Sequence, residues 1–165
     1  MEAVRLKNEV EELMGRMEKN PDVILYHQLL DFRHEMMISY LQSKNEQELK
    51  NAYEALQEHQ GQIKGMLDYY FFFFMGMYDF KRKELVSAIS SYRRAEQSLN
   101  YADDEIEHAE FYYKMAEIYY YMKQTYFSLN YVKRAMRIYG KYKNYEDRIL
   151  RCKYITAGNL MDSLH

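Results

Sequence analysis

The chain has 165 residues, 48% of them hydrophobic, and its 23 basic and 25 acidic side chains leave a formal charge of −2. That length and apolar content suit one compact domain or a short helical array with a real core, and a charge this close to zero gives no pull towards nucleic acid or an anionic membrane. Six glycines and one proline are too few for the tight turns of a β-sandwich or barrel, and a single cysteine excludes an internal disulfide and a cysteine-based zinc cage.

The expected fold is therefore all-α, in a reducing cytoplasm, with proteins or peptides as partners and Cys152 as a small buried hydrophobe. The N-terminus is amphipathic and charged, unlike a secretory leader. Between residues 5 and 18, Leu6, Val10, Leu13 and Met17 recur at i, i+4, i+7 and i+11, which predicts a helix turning that stripe to a core. Asn20-Pro21-Asp22 then reads as a fresh start. Asn is a good N-cap, Pro at the first helical position wastes no amide, and Asp22 suits the positive end of the helix dipole. A second helix carries Leu25, Leu29, Phe32, Met36 and Tyr40 on one face and ends near Gln42, before the polar turn Ser43-Lys44-Asn45-Glu46.

The apolar stripe resumes at Leu49, Tyr53, Leu56, Ile63, Leu67, Tyr70 and Phe74, as one long helix from 46 to 80 or two joined near Gly61 and Gly65. Its most apolar run, Met66 to Tyr78, is about a dozen residues against the roughly 20 needed to span a bilayer, and Asp68 interrupts it, so a buried core helix is expected. Residues 1–66 hold 8 basic and 12 acidic side chains, net −4, and residues 67–165 hold 15 and 13, net +2. Together with the rise in aromatic content, this divides the chain into a bundle (1–66) and a second region (67–165).

The second region contains a repeat of tetratricopeptide type, in which paired helices approach closely where side chains are small. Phe72, Met75 and Gly76 face Ala88, Tyr92 and Ala95, at offsets of 12, 16 and 19 from the glycine. Tyr112, Met115, Ala116 and Tyr119 face Ser128, Val132 and Ala135 at the same offsets, 40 residues later. Ala157 suggests the first helix of an unfinished third copy. A terminal repeat needs a polar cap, and here an uncovered side would carry some of Tyr154, Ile155, Leu160 and Met161; a fragment, a truncated gene product or self-association through this end are the alternatives.

No zincin helix, phosphate-binding loop or nucleophile elbow is present. His27 and His34 lie two turns, about 10 Å, apart and cannot share one ion without other ligands, so no metal site is expected. The tyrosines and phenylalanines mostly follow helical spacing and are read as packing. The basic stretch Lys133, Arg134, Arg137, Lys141, Lys143, Arg148, Arg151 and Lys153 is read as a solvated helix face in preference to a nucleic-acid surface.

Four segments resemble the Rap proteins: Leu-Asp-Phe-Arg-His-Glu-Met-Met (30–37), Leu-Asp-Tyr-Tyr-Phe-Phe-Phe-Phe-Met-Gly-Met-Tyr-Asp-Phe (67–80), Asp-Glu-Ile-Glu-His-Ala-Glu-Phe (104–111) and Met-Lys-Gln-Thr-Tyr-Phe-Ser (122–128). The resemblance implies an N-terminal three-helix bundle followed by a longer tetratricopeptide array that binds a bacterial response regulator, in quorum-sensing, sporulation or competence signalling. Some Rap proteins hasten loss of phosphate from the regulator's aspartate, and others occlude a DNA-binding domain. The resemblance places Leu6 to Gln42 on two bundle helices, with the family's first helix before Met1. The family's catalytic glutamine stands in a Glu-Glu-Asp/Asn-Gln-Asp turn, where this chain reads Glu18-Lys19-Asn20-Pro21-Asp22. Pro21 takes the glutamine's place and has no side-chain amide to orient a water, so no catalytic residue is assigned, and Asn20 or Gln28 is the alternative amide. Glu18, Asn20, Pro21, Asp22, Ile24 and Phe32 are the implied partner contacts, with Phe32 equally readable as core. The magnesium of the reaction belongs to the regulator, so the resemblance implies no cofactor in this chain. A regulatory oligopeptide would need further repeats. Three readings stand: a regulator-binding protein with weak or lost phosphatase activity, an active aspartyl-phosphate phosphatase, or a non-catalytic remnant that acts as a dominant-negative interaction module.

Overall fold

The computed structural model describes residues 2–15, 20–41, 46–59 and 63–164, and among these there are only helices and turns. The helices are α1 (Glu2–Met14), α2 (Pro21–Leu41), α3 (Glu46–Gln57), α4 (Met66–Lys81), α5 (Leu85–Gln97), α6 (Glu105–Tyr121), α7 (Thr125–Tyr139) and α8 (Glu146–Asp162), with a short 3-10 turn at Leu99–Tyr101. The stretch from 46 to 80 is thus two helices. Gly61 and the turn at 43–45 lie outside the described residues, while Gly65 precedes α4 with φ at 67°, a left-handed conformation that favours glycine.

α4 is apolar nearly all round because it is the central element. Tyr69, Phe71, Phe73, Phe74, Met75 and Tyr78 are all buried, and one apolar cluster runs without a break from Leu25, Leu29 and Phe32 of α2 through α3, α4 and α5 to Phe111 and Ile118 of α6. A second cluster joins α6, α7 and α8 and includes the fully buried Cys152. No helix among the described residues is long and apolar enough to cross a membrane.

The small-residue seams are where the offsets put them. A Cβ on Gly76 would meet Tyr92 ring carbons at 2.4 and 2.6 Å and the Ala88 carbonyl oxygen at 3.2 Å. In the second hairpin the Ser128 hydroxyl donates to the Ala116 carbonyl at 2.8 Å, and Ser128, Val132 and Ala135 are buried. The sizes compensate: a tyrosine faces the glycine in the first hairpin, and the smaller Val132 stands at the same offset from Ala116 in the second. The turns repeat as well. The Glu84 amide bonds the Asp79 carbonyl and the Lys83 amide the Phe80 carbonyl, and Gln124 and Lys123 do the same to Tyr119 and Tyr120. This is the Schellman closure, with Lys83 (φ 64°) and Lys123 (φ 58°) at the left-handed position where glycine is usual.

Two carboxylates lie in the core of this region. Asp68 accepts from the Ser98 hydroxyl at 2.6 Å. Asp79 accepts from Ser87 at 2.7 Å and from the Tyr53 hydroxyl of α3 at 3.4 Å, which ties the bundle to the first hairpin. Nearby, the Lys81 ammonium donates to the Ser39 hydroxyl of α2. Burial pushes the Asp79 carboxyl above the ordinary carboxylate range, against the pull of its two hydroxyl donors.

On α8, Asn159 is buried and its amide donates to the Ser128 hydroxyl at 2.8 Å and to the Ile155 carbonyl at 2.9 Å. Tyr154, Leu160 and Met161 are exposed, and Ile155 faces inward onto the second cluster. Ala157, the small residue that the sequence marks for a third copy, is exposed.

Candidate partner-binding site

Asn20 caps α2: its side-chain oxygen accepts from the Asp22 amide at 3.0 Å and its carbonyl from the Ile24 amide at 3.1 Å. Pro21 opens the helix, Asp22 follows in the first turn, and all three are exposed. Met17, Glu18 and Lys19 lie outside the described residues. Ile24 is 36% exposed on the same first turn.

Phe32 does not join them. It is 1% exposed, with its ring centroid 5.7 Å from Tyr78 and 6.3 Å from Tyr53, so its role as a partner contact is corrected to a core one. The reason is register: Phe32 shares the face of Leu25, Leu29 and Met36, which meets α3 and α4. Gln28 stands seven residues, about 10 Å, along the helix from Pro21 and lines a small cavity with Asp31, Phe32 and Glu35 on one side and Ala52, Ala55 and Leu56 of α3 on the other.

A second correction concerns α1. Leu6, Val10 and Leu13 were expected to face a core, yet they are 49%, 44% and 59% exposed. What α1 turns towards α2 is charge. The Lys7 ammonium lies 3.4 Å from both Asp31 Oδ1 and Glu35 Oε1, and His27 Nδ1 lies 3.1 Å from Asp31 Oδ2. On α2, Val23, Leu30 and Met37 repeat every seven residues and are all exposed. This outward apolar row was not singled out in the sequence, because α2 is apolar on most of its circumference and no one stripe stands out. The N-terminus of α2 thus presents a capped, polar start flanked by apolar side chains, a composition suited to docking against another protein.

Nucleophilic chemistry finds no support in the one cysteine, since burial pushes the Cys152 thiol up to about 12. The basic stretch of α7 and α8 is dispersed. Lys141 bonds Glu105 at 3.0 Å, Arg148 lies 3.1 Å from Glu110, and Arg134 sits over the Tyr112 and Tyr131 rings.

Comparison with known proteins agrees on one group. The N-terminal family of response regulator aspartate phosphatase H matches residues 1–39. Response regulator aspartate phosphatase I of Bacillus subtilis (strain 168) is 56% identical over 161 residues, covering 96% of this chain and 41% of the relative. The crystal structure of the apo form of RapI superposes with a TM-score of 0.87 at 55% identity over 99% of this chain and 45% of that one. A Rap protein complexed with competence and sporulation factor gives a TM-score of 0.92 at 44% identity, over 98% of this chain and 45% of that one. The chain therefore spans less than half the length of these relatives. Agreement in sequence and in three-dimensional form leads to one conclusion: this chain belongs to the Rap family, and it corresponds to the N-terminal part of its members.

Proposed function

We propose that the chain binds a bacterial response regulator through the α1–α2 turn and modulates phosphorelay or transcription signalling, with aspartyl-phosphate phosphatase activity weak or lost. In this reading residues 1–66 dock the regulator and residues 67–165 are the scaffold behind them. The observation that carries it is Pro21, exposed on the first turn of α2 at the position that the Rap pattern gives to glutamine. The neighbouring amide of Asn20 has its oxygen engaged in capping, and Gln28 is two turns away, so neither reproduces a glutamine side chain projecting from the turn. Ile24, Asp22 and the outward row Val23, Leu30 and Met37 supply the contact surface. A regulatory oligopeptide enters this reading only through a longer repeat array.

The test is a phosphorylated response regulator, with capture on the immobilised chain and phosphate release read on the same samples. Capture without accelerated release is expected, and Pro21→Gln should accelerate release at least ~10-fold. Rapid release by the parent chain would refute the loss of activity, and Asn20→Ala and Gln28→Ala would then trace its source.

A further inference from the structure

Where α1 crosses α2, five ionisable side chains gather: Lys7 and Glu11 from one helix, His27, Asp31 and Glu35 from the other. The crossing is antiparallel, since Lys7 reaches Asp31 and Glu35 while Glu11, one turn on, reaches back to His27. One ligand atom from each of Glu11, His27 and Asp31 lies within 4.8 Å of the other two. His27 and Asp31 are four apart on one helix face, and Nδ1 of the first is 3.1 Å from Oδ2 of the second. Two donors on one tetrahedral zinc ion, each ~2.0–2.1 Å from the metal, are ~3.3 Å apart. This pair already stands near that spacing, and a carboxylate oxygen of Glu11, on the exposed side, lies within 4.8 Å of both.

Lys7 does not occupy the same position. Its ammonium faces the other Asp31 oxygen, Oδ1, and Glu35. With a neutral imidazole, the three carboxylates outweigh the one ammonium by two negative charges, which a divalent ion would balance.

We propose that Glu11, His27 and Asp31 form a site for a divalent transition ion of the zinc type, which clamps α1 onto α2. One imidazole with two carboxylates favours zinc, cobalt or nickel over magnesium and calcium, which prefer oxygen donors alone. Three protein ligands leave a fourth position to water. The clamp has a mechanical purpose, because no described residue of α1 belongs to either apolar cluster, and the ion pairs of Lys7 with Asp31 and Glu35 that cross to α2 are partly exposed. Glu11 was invisible as a ligand in the sequence, sixteen residues before His27 and on another helix. The inference is independent of what the hairpin docks against.

The experiment titrates the metal-free full chain with zinc chloride, following thermal unfolding and amide exchange of α1, and with cobalt chloride, following visible absorption. One equivalent of zinc should raise the unfolding midpoint and protect α1, and cobalt should give ligand-field bands. Glu11→Gln and His27→Ala should each weaken binding at least ~10-fold, while His34→Ala, on the same helix but outside the triad, should bind as the parent does. Glu11 is exposed, so its variant keeps the core intact. Absence of a saturable zinc effect, undiminished binding by the Glu11→Gln and His27→Ala variants, or an equal loss in His34→Ala would each overturn the site.

Discussion

The α1–α2 pair and the α4–α5 hairpin are both antiparallel helix pairs, yet they are held by different forces. In α4–α5 the backbones meet at Gly76, where even a methyl group has no room beside Tyr92, and buried Asp68 and Asp79 bond hydroxyls of the facing helix or of its C-terminal turn. In α1–α2 the ion pairs that cross are those of Lys7 with the Asp31 and Glu35 carboxylates, while Leu6, Val10 and Leu13 are about half exposed. Close packing is short-ranged and admits one geometry, whereas ion pairs that are partly exposed are weak and tolerate adjustment. The molecule therefore combines a rigid scaffold with an adaptable hairpin, and the residues proposed for docking are on the adaptable one.

Substitutions can break this contrast. Phe32→Ala empties a fully enclosed site shared with Tyr53 and Tyr78 and should cost about 3–5 kcal/mol in denaturant unfolding, whereas Ile24→Ala, eight residues earlier, should leave stability within about 0.5 kcal/mol. A comparable loss in both would erase the distinction between core and contact surface. Gly76→Val should cost about 3 kcal/mol by overpacking against Tyr92. Gly76→Ala combined with Tyr92→Val copies the second hairpin, so its cost should fall below the sum of the two single variants; simple additivity would show that the two sites do not share space.

The buried carboxylate gives a pH signature. Because burial raises the Asp79 pKa in the folded state, that state holds its proton more tightly than the unfolded chain does. The contribution is favourable at low pH and declines as pH rises from the ordinary carboxylate range through the raised value, at no more than about 1.4 kcal/mol per pH unit. Asp79→Asn should flatten that slope in urea melts taken at successive pH values, and an unchanged profile would assign the slope elsewhere.

Effects in the N-terminal pair should be smaller. Lys7→Ala should cost about 0.5–1 kcal/mol and speed amide exchange in α1 while leaving α4 and α5 protected, and moderate salt should act in the same direction on the parent. Lys83→Gly and Lys123→Gly should each stabilise by about 0.5–1 kcal/mol, since both residues hold a left-handed conformation that glycine adopts without strain. Loss of stability there would mean that the lysine side chains contribute more than the backbone conformation costs.

Much of this architecture can be read along the chain because it depends on local or fixed-offset relations. Helical periodicity, the Asn20-Pro21 start of α2 and the small residues at offsets of 12, 16 and 19 from Gly76 and Ala116 are relations between residues close in sequence, and steric exclusion at a helix crossing admits few alternatives. The candidate site was legible to the same extent. Asn20, Pro21 and Asp22 were placed at a helix start by capping chemistry alone, and that is where they are found.

What the sequence could not decide is which neighbour each face meets. An apolar stripe states that a face prefers burial and says nothing about what covers it, so Phe32 and Leu6 read alike although one is enclosed by α3 and α4 and the other is half in water. The meeting of Glu11 with His27 and Asp31, and of Tyr53 with Asp79, likewise depends on how helices distant in sequence cross. Local geometry makes the helices and their caps from neighbouring residues; only the packing of whole helices against one another brings together groups that carry no shared signal along the chain.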